Sequence, residues 1–318
     1  MTTDHSAQLL SELRTGFLTT RISRTSAGTV LWRHTPGPDR SQPFPPLPAA
    51  LPRLLARASG PDVTWLAPVA SSADEQVWET NGQHSLADAL ETGTRTGTQL
   101  EAIGASLGAR LRRLHELTLH QDETARCGDY PRHPGLSRLR AWLEHGRGPR
   151  AATAFRYRLR SQLGTGRWNR LNELTHGLLH PSAHEATTVL HGWFSMGGIV
   201  LSDRPGATTS SVLCGPDACM GLPETDLGCL VGELTEYRLA TRRQGISWPV
   251  LDQLQRALLT HYGPGADTET IAAAAILRIA THAHDYASYV GWSEQLHGYV
   301  PMLSDLLDSD QRTVLQPA

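Results

Sequence analysis

The residues best suited to chemistry lie in one stretch, Val189 to Gly228. It opens Val189-Leu190-His191-Gly192-Trp193-Phe194-Ser195-Met196-Gly197-Gly198-Ile199-Val200. It continues through Val212-Leu213-Cys214-Gly215-Pro216-Asp217 to Glu224-Thr225-Asp226-Leu227-Gly228. Two short β-like runs each lead into a glycine-containing turn, and the second turn leads into a helix. His191 is of the type that moves a proton near neutral pH. Asp203, Asp217 and Glu224 are carboxylates of the kind that hold a hard cation. Asp226 stands near the start of the helix, where the dipole favours an acid. Cys214, Cys219 and Cys229 show no paired CxxC spacing, so buried free thiols fit them better than a zinc site. The fourth cysteine is Cys127.

Around this stretch the chain supplies 318 residues, enough for one two-lobed domain or two ordinary ones. Apolar residues at 39% and charged residues at 19% fit a globular protein rather than a disordered chain. A net charge of −2 gives no global positive field and argues against nucleic acid as a partner. There is no lysine, and all 29 basic residues are arginine. Any phosphate must therefore meet a planar guanidinium fork instead of a compact ammonium. The opening Met1-Thr2-Thr3-Asp4-His5 is polar and does not read as a signal peptide. No apolar run reaches 18 residues, so no membrane span is expected, and the protein is expected to be cytoplasmic.

The positioning elements can be read in order. Ala7 to Arg14 reads as a short helix with Leu9, Leu10 and Leu13 on one face. Phe17 to Arg24 and Gly28 to His34 read as a hairpin. Pro36 to Pro52 holds seven prolines in 17 residues and reads as a linker into a helix at Leu51 to Ala58. Val63 to Val69 and Glu75 to Thr80 read as strands. Helices are predicted over Gln99 to Leu117, Leu136 to Glu144, Ala151 to Leu163 and Trp168 to Leu179, with His120 to Gly135 a loop. In the first, Leu100, Ile103, Leu107, Leu111 and Leu114 recur at helical spacing. Arg150, Arg156, Arg158 and Arg160 read as a solvated helix face or an arginine surface for an acidic partner. Glu224 to Thr241, Pro249 to Tyr262, Thr268 to Ser288 and Trp292 to Leu307 complete a helical C-terminal part.

The central stretch resembles the catalytic core of the aminoglycoside phosphotransferase and choline kinase branch of the protein-kinase-like fold. That branch reads His-Gly-Asp, four residues, Asn, a strand, Ile-Asp-Phe/Trp, then a helix opening Asp-Leu-Gly/Ala. His191-Gly192, Asp226-Leu227-Gly228, the Leu114-His115 helix end and the hinge-like Val77-Trp78-Glu79-Thr80-Asn81-Gly82 carry the likeness. It implies an α+β, two-lobed fold with a β-rich lobe over 1–80 and a helical lobe over 81–318. It also implies ATP, with or without magnesium, as the cofactor to test. Arg33 would be the phosphate ligand, and Glu79 and Thr80 would lie at the nucleotide hinge. His191, Asp226 and His115 would be structural.

Against that resemblance the chemistry is largely missing. The catalytic Asp falls on Trp193, the metal-binding Asn on Gly198 and the metal-binding Asp on Cys214. His191 and Asp217 are the candidate substitutes. No Glu or Asp occurs between Arg40 and Gly60, where a helix should offer a partner for the strand base. The expected function is a pseudokinase, with no metal site expected. His191-Gly192-x-Phe194-Ser195-x-Gly197 is similar to degenerate phosphotransferase-like proteins of class V lanthipeptide and thioamitide pathways in actinobacteria. That likeness implies a precursor peptide or a lyase-like subunit as partner, with Trp193, Arg156 and Arg160 on the contact surface. The alternatives are a divergent peptide phosphotransferase and, less favoured, a small-molecule kinase.

Overall fold

The computed structural model describes residues 7–119, 130–182, 184–204, 206–242, 248–309 and 314–315. Met1 to His5, Cys127 and most of the expected loop after His120 lie outside them. From the N-terminus, β1 (Gln8–Arg14), β2 (Leu18–Arg24) and β3 (Val30–Pro36) form an antiparallel meander. Then come α1 (Leu51–Ala58), β4 (Val63–Leu66), β5 (Ala70–Ser71) and β6 (Gln76–Thr80). The first sheet has the order β1-β2-β3-β6-β5.

The first element differs from its sequence reading. Residues 8–14 are a strand, because their backbone pairs with β2 from Gln8↔Arg24 to Arg14↔Thr19. Leu9 and Leu13, which suggested an apolar helix face, are 57% and 66% exposed. A leucine spacing compatible with a helix was overridden by strand pairing.

β7 (His84–Ser85) opens α2 (Leu86–Glu91) through a reciprocal cap between Ser85 and Asp88. α3 (Gly97–Leu119) buries Leu100, Ile103, Leu107, Leu111 and Leu114 as its spacing predicts. α4 (Pro134–His145) follows. The two expected helices on either side of residue 164 are halves of α5 (Ala152–Leu179), divided where Gly164 takes φ 73°. β8 (Thr188–Leu190), β9 (Ile199–Leu201), β10 (Ser210–Leu213) and β11 (Cys219–Gly221) frame the central stretch. α6 (Glu224–Arg242), α7 (Pro249–Tyr262), α8 (Thr268–Tyr289) and α9 (Gln295–Asp308) close the chain. None of the described helices is long and apolar enough to cross a membrane.

The fold is α+β, with a β-sheet region first and a mostly helical part after it. The packing does not divide cleanly at residue 80. β4 pairs in parallel with β10, inside the sheet β4-β10-β9-β7. Leu51, Leu54, Leu55, Val63 and Trp65 join the large helical core. A second, smaller core of Ile22, Val30, Trp32, Trp78, Val200 and Leu213 ties the first sheet to β9 and β10. Four of its residues, Ile22, Trp32, Trp78 and Leu213, also line a cleft.

Candidate active-site cleft

The loop after β8 is built around Asp226. This carboxylate is fully buried on the first turn of α6. It accepts the backbone N–H groups of His191 at 2.7 Å and Gly192 at 2.9 Å. It also meets His115 Nε2 at 3.2 Å. Burial pushes its pKa up, but His115, His191 and the Gly192 N–H outweigh burial and hold it below the usual carboxylate range. Gly192 takes φ +82°, and a Cβ there would lie 1.8 Å from the Asp217 carbonyl oxygen. Only glycine makes that turn.

His191 is buried and fully engaged. Its Nε2 donates to the Leu213 carbonyl at 3.0 Å, and its Nδ1 accepts the Trp193 N–H at 3.3 Å. Burial lowers its pKa. With both ring nitrogens used inside the protein, it has no lone pair for a substrate proton. It is a strut between β8 and β10, and the reading of His191 as a substitute base does not fit this geometry.

Trp193 comes next, half-buried at the wall of the cleft. The Arg278 guanidinium sits 4.6 Å from its ring centroid. Arg278 is itself paired with Glu233 at 3.1 Å, and Glu233 accepts the Met196 N–H at 2.6 Å. The Trp193 ring also lies close to the α4 start, where a Cβ on Gly135 would come 2.9 Å from it. The indole is therefore fixed in place. Gly198 presents no side chain, and Cys214 is a buried thiol that burial pushes far above its ordinary pKa.

The carboxylates named from the sequence go to different places. Asp217 lines the cleft and makes no ion pair among the described residues. Asp203 binds Arg24 and the Gln83 N–H at the hinge side. Glu224 accepts the Asp267 N–H beside α8. Cys214, Cys219 and Cys229 are free, buried thiols. No three His, Cys, Asp or Glu side chains gather as a metal cage among the described residues.

The residues expected beside a nucleotide also depart from their sequence reading. Along β3, side chains alternate between the two faces of the sheet. Trp32 and His34 line the cleft, whereas Arg33 points to the other face and bonds Glu75. Arg33 therefore has no route to a phosphate in the cleft. Glu79 is exposed, and the Thr80 hydroxyl donates to the Gly82 carbonyl at 2.8 Å. That carbonyl also accepts the Trp32 indole N–H at 3.0 Å. The Trp78 indole donates across to the Cys214 carbonyl at 3.0 Å. Two tryptophans fill the region between hinge and β10.

Arg156 does not form a partner surface. It is buried and donates to the Leu143 carbonyl at 2.7 and 3.1 Å and the Glu144 carbonyl at 3.3 Å. It closes the C-terminal end of α4, whose last carbonyls lack helical partners. Arg160 lies along Trp168, its guanidinium 5.8 Å from the ring.

The cleft itself encloses about 650 Å³. Sequence reasoning missed most of its charged members: Arg40, Asp88, Glu91, Arg138 and Asp285. Arg40 comes from the proline-rich segment, where nothing in the spacing marks it. Arg138 on α4 pairs with Asp285 on α8 at 3.3 Å. Burial raises the Asp285 carboxyl, but Arg138 and His284 together bring it down to about 2.

No family model and no curated protein matches the chain. Solved structures do. The Plasmodium vivax ethanolamine kinase is similar with a TM-score of 0.60 at 9% identity, over 99% of this chain and 86% of that one. An amicoumacin kinase in complex with AMP-PNP, calcium and Ami gives 0.56 at 13% identity, over 96% and 88%. The Streptomyces rimosus aminoglycoside phosphotransferase APH(3'')-Id gives 0.50 at 14%, over 87% and 93%. The chain has the kinase-like fold of the aminoglycoside phosphotransferases and ethanolamine kinases.

Proposed function

We propose that this protein is a kinase-fold subunit without phosphoryl transfer, which uses its interlobe cleft to bind a peptide or a partner protein. The observation that carries the reading is Trp193, clamped by Arg278 where the resemblance puts the catalytic carboxylate. Phosphoryl transfer needs a positioned acceptor base and metal-neutralised charge. An indole has only a donor to give. Gly198 and buried Cys214 add no ligand for magnesium, which prefers oxygen donors.

The occupancy of the hinge supports the same reading. The resemblance puts adenine on hinge backbone groups, and the Gly82 carbonyl already has Trp32 and Thr80 on it. The partner class we carry forward from the sequence is a precursor peptide undergoing Ser/Thr dehydration, with its lyase-like subunit. A second reading, a divergent peptide phosphotransferase, draws on Asp217, a cleft carboxylate without an ion pair among the described residues.

Titration calorimetry with ATP, with and without magnesium, separates the two. The proposal expects no magnesium-dependent binding. Tight binding that requires magnesium would move the assignment to the divergent enzyme and make Asp217 its metal ligand.

A further inference from the structure

Three segments far apart in sequence bring two guanidinium groups to one aromatic ring. The Arg40 guanidinium lies 4.3 Å from the Phe17 ring centroid and 4.6 Å from that of Phe44. The Arg138 guanidinium lies 4.6 Å from the same Phe17 centroid. Both arginines line the cleft.

Arg138 is paired with Asp285, Arg40 has no carboxylate at ion-pair distance among the described residues, and Asp217 acts on both at longer range. Arg40 donates its Nε to the Gln42 carbonyl at 2.9 Å and makes no ion pair among the described residues. Arg138 has one carboxylate, Asp285, through Nη2, while its buried Nε has no hydrogen-bond partner. A buried donor left unmade costs free energy unless a ligand satisfies it. The two histidines nearby, His34 and His133, are driven down to about 4 by burial and stay neutral at pH 7. Arg40 and Arg138 are therefore the cationic groups of a cleft that also carries Asp88, Glu91, Asp217 and Asp285. Asp217, in the same cleft, opposes an anion and offers an acceptor to a ligand N–H.

We infer that Arg40 and Arg138, held on the two sides of the cleft against Phe17, form a site for an oxyanion borne on an amino-acid side chain, either a carboxylate or a phosphate monoester. Both groups match the planar fork of a guanidinium and are bound more strongly than a neutral acceptor. The inference deepens the peptide-binding reading of the same cleft. It is tested without ATP, so the outcome of any phosphoryl-transfer assay leaves it standing or fallen on its own.

Calorimetry of the full chain with L-glutamate, O-phospho-L-serine and inorganic phosphate tests the site. At least one of the three binds, and glutamate against phosphoserine decides between carboxylate and phosphate. Binding of inorganic phosphate shows that the bare oxyanion suffices. Arg40→Gln weakens binding about tenfold or more, the effect of losing a charge-assisted hydrogen bond. Arg138→Gln does the same, and Arg40→Gln carries the test if loss of the Asp285 pair unfolds that variant. Asp217→Asn tightens binding, whereas Arg14→Gln, in a separate basic groove, leaves it unchanged. No binding of any probe, or wild-type affinity in Arg40→Gln, would overturn the assignment.

Discussion

His133 shows how one buried side chain couples stability to pH. Its Nδ1 accepts the Leu136 N–H at 3.2 Å and caps α4. Burial is the main cause that lowers its pKa from 6.5 to about 4, against the opposing pull of Asp226 and Asp217. The unfolded chain takes up a proton near 6.5, and the folded protein does so only near 4. Between those values the unfolded state binds more protons, so stability falls as pH drops from about 6.5 to 4 and is level above. The shift corresponds to about 3 kcal/mol for His133. His34 adds a change of the same sign. His133→Asn keeps a capping acceptor and removes the titration. Urea midpoints measured from pH 4.5 to 7.5 should slope less in this variant, and an unchanged slope would contradict a neutral, buried His133.

Single residues also mark the limit of what the sequence revealed. His191, Asp226 and His115 could be placed because their roles depend on a short local motif. Arg33 could not, since strand alternation sends it to the far face while Trp32 and His34 enter the cleft. Arg40 and Arg138 carry no local signal. Their meaning comes from a ring at Phe17 and a carboxylate at Asp285 that only the tertiary fold brings close.

At the scale of elements, the strongly periodic α3 and the Leu51–Ala58 helix were legible, because one apolar stripe decides each. β1 was not, since its leucines suit a helix as well as a strand, and the β2 edge decides between them. α5 was read as two helices, and Gly164 is the reason that reading nearly held. The joint between α4 and α5 is where the arginine surface was misread. Arg156 spends its guanidinium on the Leu143 and Glu144 carbonyls and stacks 5.4 Å from Trp168. Arg156→Ala leaves those carbonyls unpaired and removes packing, a cost of about 2 kcal/mol. Chemical denaturation reads that loss directly. A variant as stable as the parent would return Arg156 to the surface and to the partner.

For the whole molecule, the kinase-like fold is present, and the proposed reading is that its chemical positions have been filled. Trp32 and Trp78 bond across the small core, and Trp193 is braced by Arg278. On the proposed reading, these large side chains take space that a nucleotide, metal or acceptor would need. What is left open is a cleft lined by aromatic rings, two arginines and four carboxylates. The central claim is that this fold binds in its cleft and transfers no phosphate. The most direct test is mass spectrometry of a synthetic Ser/Thr-containing peptide after incubation with the pure protein, ATP and magnesium. The account predicts a peptide of unchanged mass, while a gain of phosphate on Ser or Thr that requires this protein would contradict it.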